Sequence, residues 1–548
     1  MAAVSPNSSQ TGANSDAAGA SRGPETSGST DASTRSGGRD WLLSLIPSVV
    51  DLLFITLLFG LSCGALGRLL LRDADIGWHI RNGQDMLRAH AVARVDSFSS
   101  TMSGHTWYAW EWLYDVAIAV VHHVFGLNGV VFYTAAIIAA TFVLTLHLGQ
   151  RRGGSLPVTL LLLILALGAS TVHFLARPHV VSWLFSVIWF EVLDTAENRA
   201  RQLFWLPLLM VLWVNLHGGF VMGFLLLTVY LLGAAVQYVA RRDEREQTGQ
   251  WLRSLGLCTG LSFIASFLNP YGYHLHIHVL GYLSDRFLMN QISEFLSPDF
   301  HGVAQQCFVV LLLVTLIALA SAPRKPDATR VLLILFAAYS GLYATRNLPT
   351  SSLLLVLMIA PLLSQGIAEG GRNPDAAAWL RRLLSRAGSF GLRMGNLESQ
   401  MRGHLWLVLA FVLGLWACAH DGRLGSTPFI NAYFDGKRFP VEAAEAIARN
   451  SIREPIFSLD YWGGYLIYRL YPETKVVVDD RHDLYGDQFF KDYLKVVTVQ
   501  PGWEKVLHEK HVNWVLLPSE SSLANMMRLK PEWLVADEDR TAVLFHRR

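Results

Sequence analysis

The sequence predicts a polytopic α-helical membrane protein with a C-terminal soluble α/β domain, and three observations carry that prediction. Hydrophobic residues make up 52% of the 548-residue chain and the mean hydropathy is +0.32, more than a soluble globular chain carries. Windows of about 20 apolar residues, each long enough to cross a hydrocarbon core, recur as far as residue 420. Beyond residue 421, short strand-like and helix-like segments alternate instead.

Residues 1–39 are rich in Ser, Gly, Ala, Asn and Thr and lack apolar periodicity, so this tail is expected to be disordered. No short apolar core follows a basic start, which excludes a signal peptide and makes the first span an uncleaved anchor. The membrane domain, 40–420, has apolar windows near 46–71, 127–149, 155–174, 180–196, 202–216, 218–240, 252–268, 303–321, 329–344, 349–366 and 404–420. That makes about eleven spans. The segment 112–125 carries Asp115, His122 and His123, is short for a crossing, and is expected to lie along the interface as a helix.

Basic residues in short loops set the orientation. Arg151 and Arg152, Arg199 and Arg201, Arg241 and Arg242, Arg324 and Lys325, and the Arg-rich 372–402 segment fall on one side, with the N-terminal tail. That side is expected to be cytoplasmic, in an inner (cytoplasmic) membrane. The loop 72–126, the 175–179 and His217 turns, 269–302, Arg346 and the whole of 421–548 then lie on the extracytoplasmic side.

In 421–548, helix-like 440–449, strand-like 455–459, helix-like 462–470 and strand-like 475–479 follow one another. Helices at 483–497, 501–510 and 519–529 and strands at 512–517, 533–536 and 541–546 complete the expected α/β domain. The formal charge of +2 leaves no electrostatic footprint for nucleic acid. The four cysteines sit in apolar runs as small hydrophobes, without a disulfide framework or CxxC pair.

The chemistry concentrates in 72–113, where Asp73, Asp75, His79, Asp85, Asp96, His105 and Glu111 lie among Trp78, Trp107, Trp110 and Trp112. Acids beside a bilayer cost free energy unless something pairs or uses them. The tryptophans form either an interface belt or a platform for a ring-shaped substrate, with Trp107 counted as substrate-binding. Asp75 and His79 share a helical face, and Asp75 sits where the helix dipole favours a carboxylate. Asp73 reads chiefly as that helix's cap.

These residues resemble the first external loop of the GT-C superfamily of integral-membrane glycosyltransferases, which use polyprenyl-phosphate sugars as donors. In the branch with the protein O-mannosyltransferases and lipid A aminoarabinose transferases, an acidic residue after the first span opens a juxtamembrane helix of the form D-x(n)-ML. Asp75 with Met86 and Leu87 is similar. A second juxtamembrane helix starts from an acid and an apolar–aromatic run before a short FG, as do Glu111, Trp112, Leu113 and Phe125-Gly126. A group of bacterial membrane proteins in the same superfamily is more similar still. Its DxDxxWH, DxFSxT, EWL, ARPH, NxHGGF, NPYG and WGGYL motifs appear at 73–79, 96–101, 111–113, 176–179, 215–220, 269–272 and 462–466. The resemblance covers roughly 40–548, without the EKPP-like segment of the aminoarabinose transferases.

The resemblance implies transfer of a sugar from a polyprenyl-phosphate donor to an envelope lipid, glycan or protein, with Asp75 as the base. It leaves Glu111 and Asp96 to position Asp75, bind the acceptor or hold a divalent cation such as Mg2+ or Mn2+. No ligand spacing assigns a metal. Arg177 and Arg346, at outer ends of spans, suit the departing phosphate. His179, His217 and Glu294 are further candidates for the same cleft, and His274, His276 and His278 have strand-like spacing. The cluster Asp479-Asp480-Arg481-His482-Asp483 reads chiefly as an Arg–Asp network fixing a loop. The competing classes are a non-enzymatic polysaccharide-assembly scaffold and a lipid-linked saccharide transporter. The transporter would carry charges in mid-span, and here only Asp51 and Arg68 approach that, near the ends of the first span.

Overall fold

A computed structural model of the protein describes residues 45–197 and 199–548, so the tail expected to be disordered lies outside the described residues. The chain is mostly helical as far as Ala419. Among the described residues, six helices are long and apolar enough to cross a membrane, or eight if each of two bent pairs is one span. The shortfall against about eleven windows has a physical reason. Two windows form the shorter helices Ala200–Leu216 and Ala328–Tyr343. A third lies within Arg245–Ala265, whose first half is diluted by Arg245, Glu246 and Arg253.

The first span starts at a capping box, in which the Ser48 side chain accepts from Asp51 N and the Asp51 side chain accepts from Ser48 N. It breaks after Ser62, and Gly64–Leu70 leaves at 74° to Val49–Ser62. Gly64, at φ +60, supplies the left-handed turn. The chain then runs into the acidic helix Asp75–Ala89. The segment expected at the interface, 112–125, is indeed a helix, joined to the following span by a kink at Gly126 (φ 60, ψ −157) within Trp112–Arg151.

The acidic helix packs tightly on that segment because Gly83 has no Cβ, which would otherwise collide with Asp115 O. Asp115 is fully buried there, accepting from Asn82 Nδ2 at 2.6 Å and sharing a 2.5 Å hydrogen bond with His79 Nδ1. Across the acidic helix lies Asp460–Leu470, which carries the Trp-Gly-Gly-Tyr-Leu motif. A Cβ on Gly77 would strike Gly464 O, one on Gly464 would strike Ala74 O, and one on Gly463 would crowd Asp479. The motif is therefore a close-approach surface as well as a helix start.

Residues 421–548 hold a four-stranded sheet with the spatial order Ile456–Ser458, Trp514–Pro518, Ala542–Arg547, Trp533–Glu538. The first pair is parallel and the other two are antiparallel. The strand expected at 475–479 is instead an extended segment. Val476 alone bridges, to Ile456 on one side and to Ser99 of the acidic loop on the other. It leaves the ladder because Val477 O accepts from Thr101 Oγ1 and Asp479 N donates to Tyr485 Oη. The loop after the first span is thus stitched onto the edge of the C-terminal sheet.

Gly83→Ala is expected to lower stability by about 1–3 kcal/mol through overpacking against Asp115, read as a fall in Tm. Gly60→Ala, whose Cβ meets open space, is the matched control and should leave Tm unchanged.

Candidate active site

The acidic helix begins where the chain turns out of the first span, and three elements converge on its first residue. Asp73 Oδ1 accepts from Asp75 N at 3.0 Å, but the N-cap position falls on Ala74, so Asp73, expected as the cap, braces the helix start from one residue ahead of it. Arg177, from the turn between two spans, donates to Asp73 Oδ2 at 3.0 Å and pairs with Asp75 Oδ2. Asp480 comes in from the C-terminal segment, so that one oxygen each of Asp73, Asp75 and Asp480 lie within 4.8 Å of one another. Three carboxylates therefore cluster at this point, two of them paired with the Arg177 guanidinium. Asp75 Oδ1 and Asp480 Oδ1 are buried with no hydrogen-bond partner. Burial, reinforced by Asp73, pushes the Asp480 carboxyl up to about 7.

Two cavities meet at this wall. A wide one of about 1140 Å³ runs between the membrane helices and the C-terminal segment, with Arg72, Lys437, Arg438 and Tyr461 in its lining. A smaller one of about 370 Å³ enters the membrane domain and is lined by Trp78, Trp107, Trp110, Trp183, Leu225 and Leu283. Asp75, His173, Arg177, Tyr282, Glu294 and Asp480 line both.

Glu294 pairs with Arg346 at 3.7 Å and His173 at 4.0 Å. Burial opposes its ionisation, yet Arg346 and Arg177 hold its carboxyl far below the ordinary range. The Arg346 guanidinium lies 4.2 Å over the Phe295 ring. Glu111, just ahead of the kinked helix, behaves oppositely. Burial, with Asp115 and Asp483 nearby, pushes its carboxyl well above the ordinary range in the cavity wall.

Histidines line the smaller cavity with their tautomers fixed. His217 Nδ1 accepts from Gly219 N at 3.0 Å and faces Ser182 Oγ at 2.7 Å, which leaves the proton on Nε2. Gly219 is required because a Cβ there would press on both Ser182 Oγ and His217 Nδ1. His179 Nε2 donates to His173 O at 2.9 Å. His79 is tied to Asp115 and stacks on Trp78 at 3.6 Å.

The candidates from the sequence therefore divide. Asp73, Asp75, Arg177 and Glu294 converge on the wall, and Arg346 joins them through Glu294. His79, Trp107, Glu111, His179 and His217 line the smaller cavity. Asp96 lines neither. It accepts from Ser99 N (3.0 Å) and Ser99 Oγ (2.6 Å) and pairs with Arg481 at 2.8 Å in the buried joint between loop and sheet. Arg481 also pairs with Asp479 at 2.7 Å and lies over the Trp107 ring at 4.6 Å.

The Arg–Asp network expected at 479–483 exists, but it leaves out Asp480, which joins the wall, and Asp483, which faces His278 at 3.0 Å. The acid-rich run after the apolar KVVV was the signal for both. His274, His276 and His278 lie on the helix Tyr273–Ser284, not on strand-like backbone, and face different partners. His276 binds Ser266 at 2.8 Å, and His274 stacks on Tyr273.

No family model matches this sequence, and no curated protein matches it. Among solved structures, the chain shares its fold with the archaeal oligosaccharyltransferase AglB from Archaeoglobus fulgidus. The complex of that enzyme with an inhibitory peptide and a dolichol-phosphate aligns at a TM-score of 0.51 and 12% identity, over 88% of this chain and 70% of that chain. Its apo form aligns at 0.50 and 13% identity over the same shares. ArnT from Cupriavidus metallidurans is also similar, at 0.45 and 12% identity over 93% of this chain and 96% of that one. These structural neighbours are GT-C glycosyltransferases.

Asp96→Ala is expected to cost about 3–5 kcal/mol, because it leaves Arg481 buried beside a lost partner. Thermal unfolding and protease cutting within 97–106 would read this. Glu111→Gln, which keeps the shape of a side chain whose ionisation burial already opposes, should leave the unfolding free energy within about 0.5 kcal/mol of the parent.

Proposed function

We propose that this protein is a membrane glycosyltransferase that moves a sugar from a polyprenyl-phosphate donor to an envelope lipid, glycan or protein acceptor. The observation that carries the reading is the wall. One polar cavity and one aromatic, apolar cavity meet at a buried carboxylate with a free oxygen, Asp75. A donor with an apolar tail suits the smaller cavity, whose lining residues Leu225 and Leu283 are more than 40% exposed. A polar acceptor suits the wider one. The dolichol-phosphate held by AglB is a ligand of the same class on the same fold.

On this reading Asp75 Oδ1 takes the proton of an acceptor hydroxyl entering from the wide cavity. The hydroxyl oxygen bonds to the anomeric carbon, and the carbon–oxygen bond to phosphate breaks with its electron pair going to the phosphate. Arg177, and Arg346 beside it, stabilise that charge. Glu111, in the same cavity wall, offers a hydrogen-bonding carboxyl to the sugar, and Trp107 offers a ring face. Asp96 acts one step removed, by holding Arg481 against Trp107.

Asp73, Asp75 and Asp480 also fit a hard divalent cation such as Mg2+ or Mn2+, being all carboxylate oxygens with two lacking any other partner. Such a cation would supply positive charge next to the departing phosphate. On this reading the site and residues 421–548 lie on the extracytoplasmic side of the inner membrane, a reading supported by the basic loops and by about eleven crossings once the two shorter apolar helices and Arg245–Ala265 are counted with the eight. The N-terminal tail is then cytoplasmic.

Asp75→Asn in a reconstituted assay with a polyprenyl-phosphate sugar is expected to lower turnover by about 10²–10⁴-fold with expression intact. Wild-type turnover in that variant would overturn the role. Mn2+ affinity should tighten as pH rises through about 7, because the cation displaces the Asp480 proton, and Asp480→Asn should flatten that dependence.

A further inference from the structure

The end of the bundle remote from the site carries a helix that its own fold leaves unpartnered on one face. Ala378–Gln400 is a 23-residue helix, bent at 69° to the following span Leu405–Ala419. The spans Trp112–Arg151 and Leu348–Gly370 begin beside the site and end here. Their far ends fit against the helix. Gly371 would touch Ser385 if it bore a Cβ, and Gly391 would touch Ser155. The helix therefore runs across the ends of the membrane helices, at the level of a bilayer surface.

Its outward face has two stripes with the same spacing. Trp379, Leu383, Phe390 and Leu397 recur at i, i+4, i+11 and i+18 and are 69%, 56%, 47% and 42% exposed. Arg382, Arg386 and Arg393 follow the first three by three residues each, on the adjoining surface, and all are exposed. Among the described residues no carboxylate pairs with any of these three arginines. The one acid of the helix, Glu398, is spent elsewhere, accepting from Val49 N at 2.8 Å and Val50 N at 3.2 Å at the start of the first span. Arg382 and Arg386, one turn apart, repel each other unless anions lie beside them.

We propose that this face is a binding surface for anionic phospholipid headgroups in the leaflet on the side opposite the site. The apolar stripe, with Trp379 at one end, enters the acyl boundary, and the arginine stripe meets the phosphates at its edge. Bidentate guanidinium contacts suit phosphodiesters, and the spacing lets three arginines act along one row. The proposal does not rest on the glycosyltransferase reading.

The test uses the full-length protein in neutral detergent, titrated with phosphatidylglycerol or phosphatidylcholine and followed by thermal shift and retained lipid in native mass spectrometry. Phosphatidylglycerol is expected to stabilise the protein more than phosphatidylcholine, with the difference shrinking as salt is raised. The variant R382Q/R386Q/R393Q should bind phosphatidylglycerol about 100-fold more weakly, at about fivefold per arginine, with its response to phosphatidylcholine unchanged. The charge-preserving R382K/R386K/R393K should keep the preference. Equal responses to the two lipids in the wild type, or an undiminished preference in the glutamine variant, would overturn the proposal. If the glutamine variant does not fold, the wild-type comparison and its salt dependence decide alone.

Discussion

A guanidinium shut away from water must find carboxylates, and Arg481 finds two that belong to opposite ends of the chain. Asp479 lies beside it in sequence, whereas Asp96 arrives from the loop after the first span. Neither charge could stay buried without the others. Burial, opposed by Asp479 and Asp96, leaves the Arg481 guanidinium held charged well above its ordinary range. The joint fixes where the C-terminal segment sits over the membrane helices, and it aligns Ser99, Val476 and Ile456 as neighbouring rungs. The wide cavity exists because this joint holds its roof at one edge.

With that edge fixed, glycines set the remaining distances. Gly77 and Gly464 allow the acidic helix and Asp460–Leu470 to touch backbone to backbone, and Gly463 does the same against Asp479. A side chain at any of these would push Asp480 away from Asp75. The two aspartates thus approach by backbone contact, against their mutual repulsion. The stability of the joint offsets that repulsion, and burial there, with Asp73 close by, raises the Asp480 carboxyl.

The site was legible in the sequence to the extent that its residues announce themselves beside apolar spans. Asp73, Asp75 and Arg177 stand out because charge at a bilayer edge is costly, and the structure brings them together. Spacing alone could not say which acid of Asp479 and Asp480 faces the roof joint and which faces the cleft. Extended backbone sends successive side chains to opposite faces, so the register decides, and Val476 sets it through contacts almost 400 residues away in sequence. Asp96 was misplaced for the same reason, since its partner Arg481 is remote. The secondary structure of 440–548 was readable in order, except at 475–479, where bridging is limited to Val476, and the short antiparallel pair Arg423–Leu424 and Thr427–Pro428 was not foreseen. Span number was the weakest reading, because hydropathy windows do not register that Ala200–Leu216 and Ala328–Tyr343 form short helices or that Arg245–Ala265 begins with charged residues.

The bend after Ser62 explains how acids come to sit beside a membrane at all. A straight continuation of Val49–Ser62 would carry residues 73–75 outward along the span's axis. Turning by 74° at Gly64 sends Gly64–Leu70 sideways, so that the chain reaches the turn bearing Arg177. The contact is direct, with Ala176 N donating to Leu70 O at 2.8 Å. Two carboxylates thus meet their guanidinium near the bundle's end, where the desolvation that strengthens each charge interaction is still partial. The same span is held at its other end by Ser48, Asp51 and Glu398. The span that leads into the acidic helix is therefore held at both ends, and Glu398 ties its start to Ala378–Gln400.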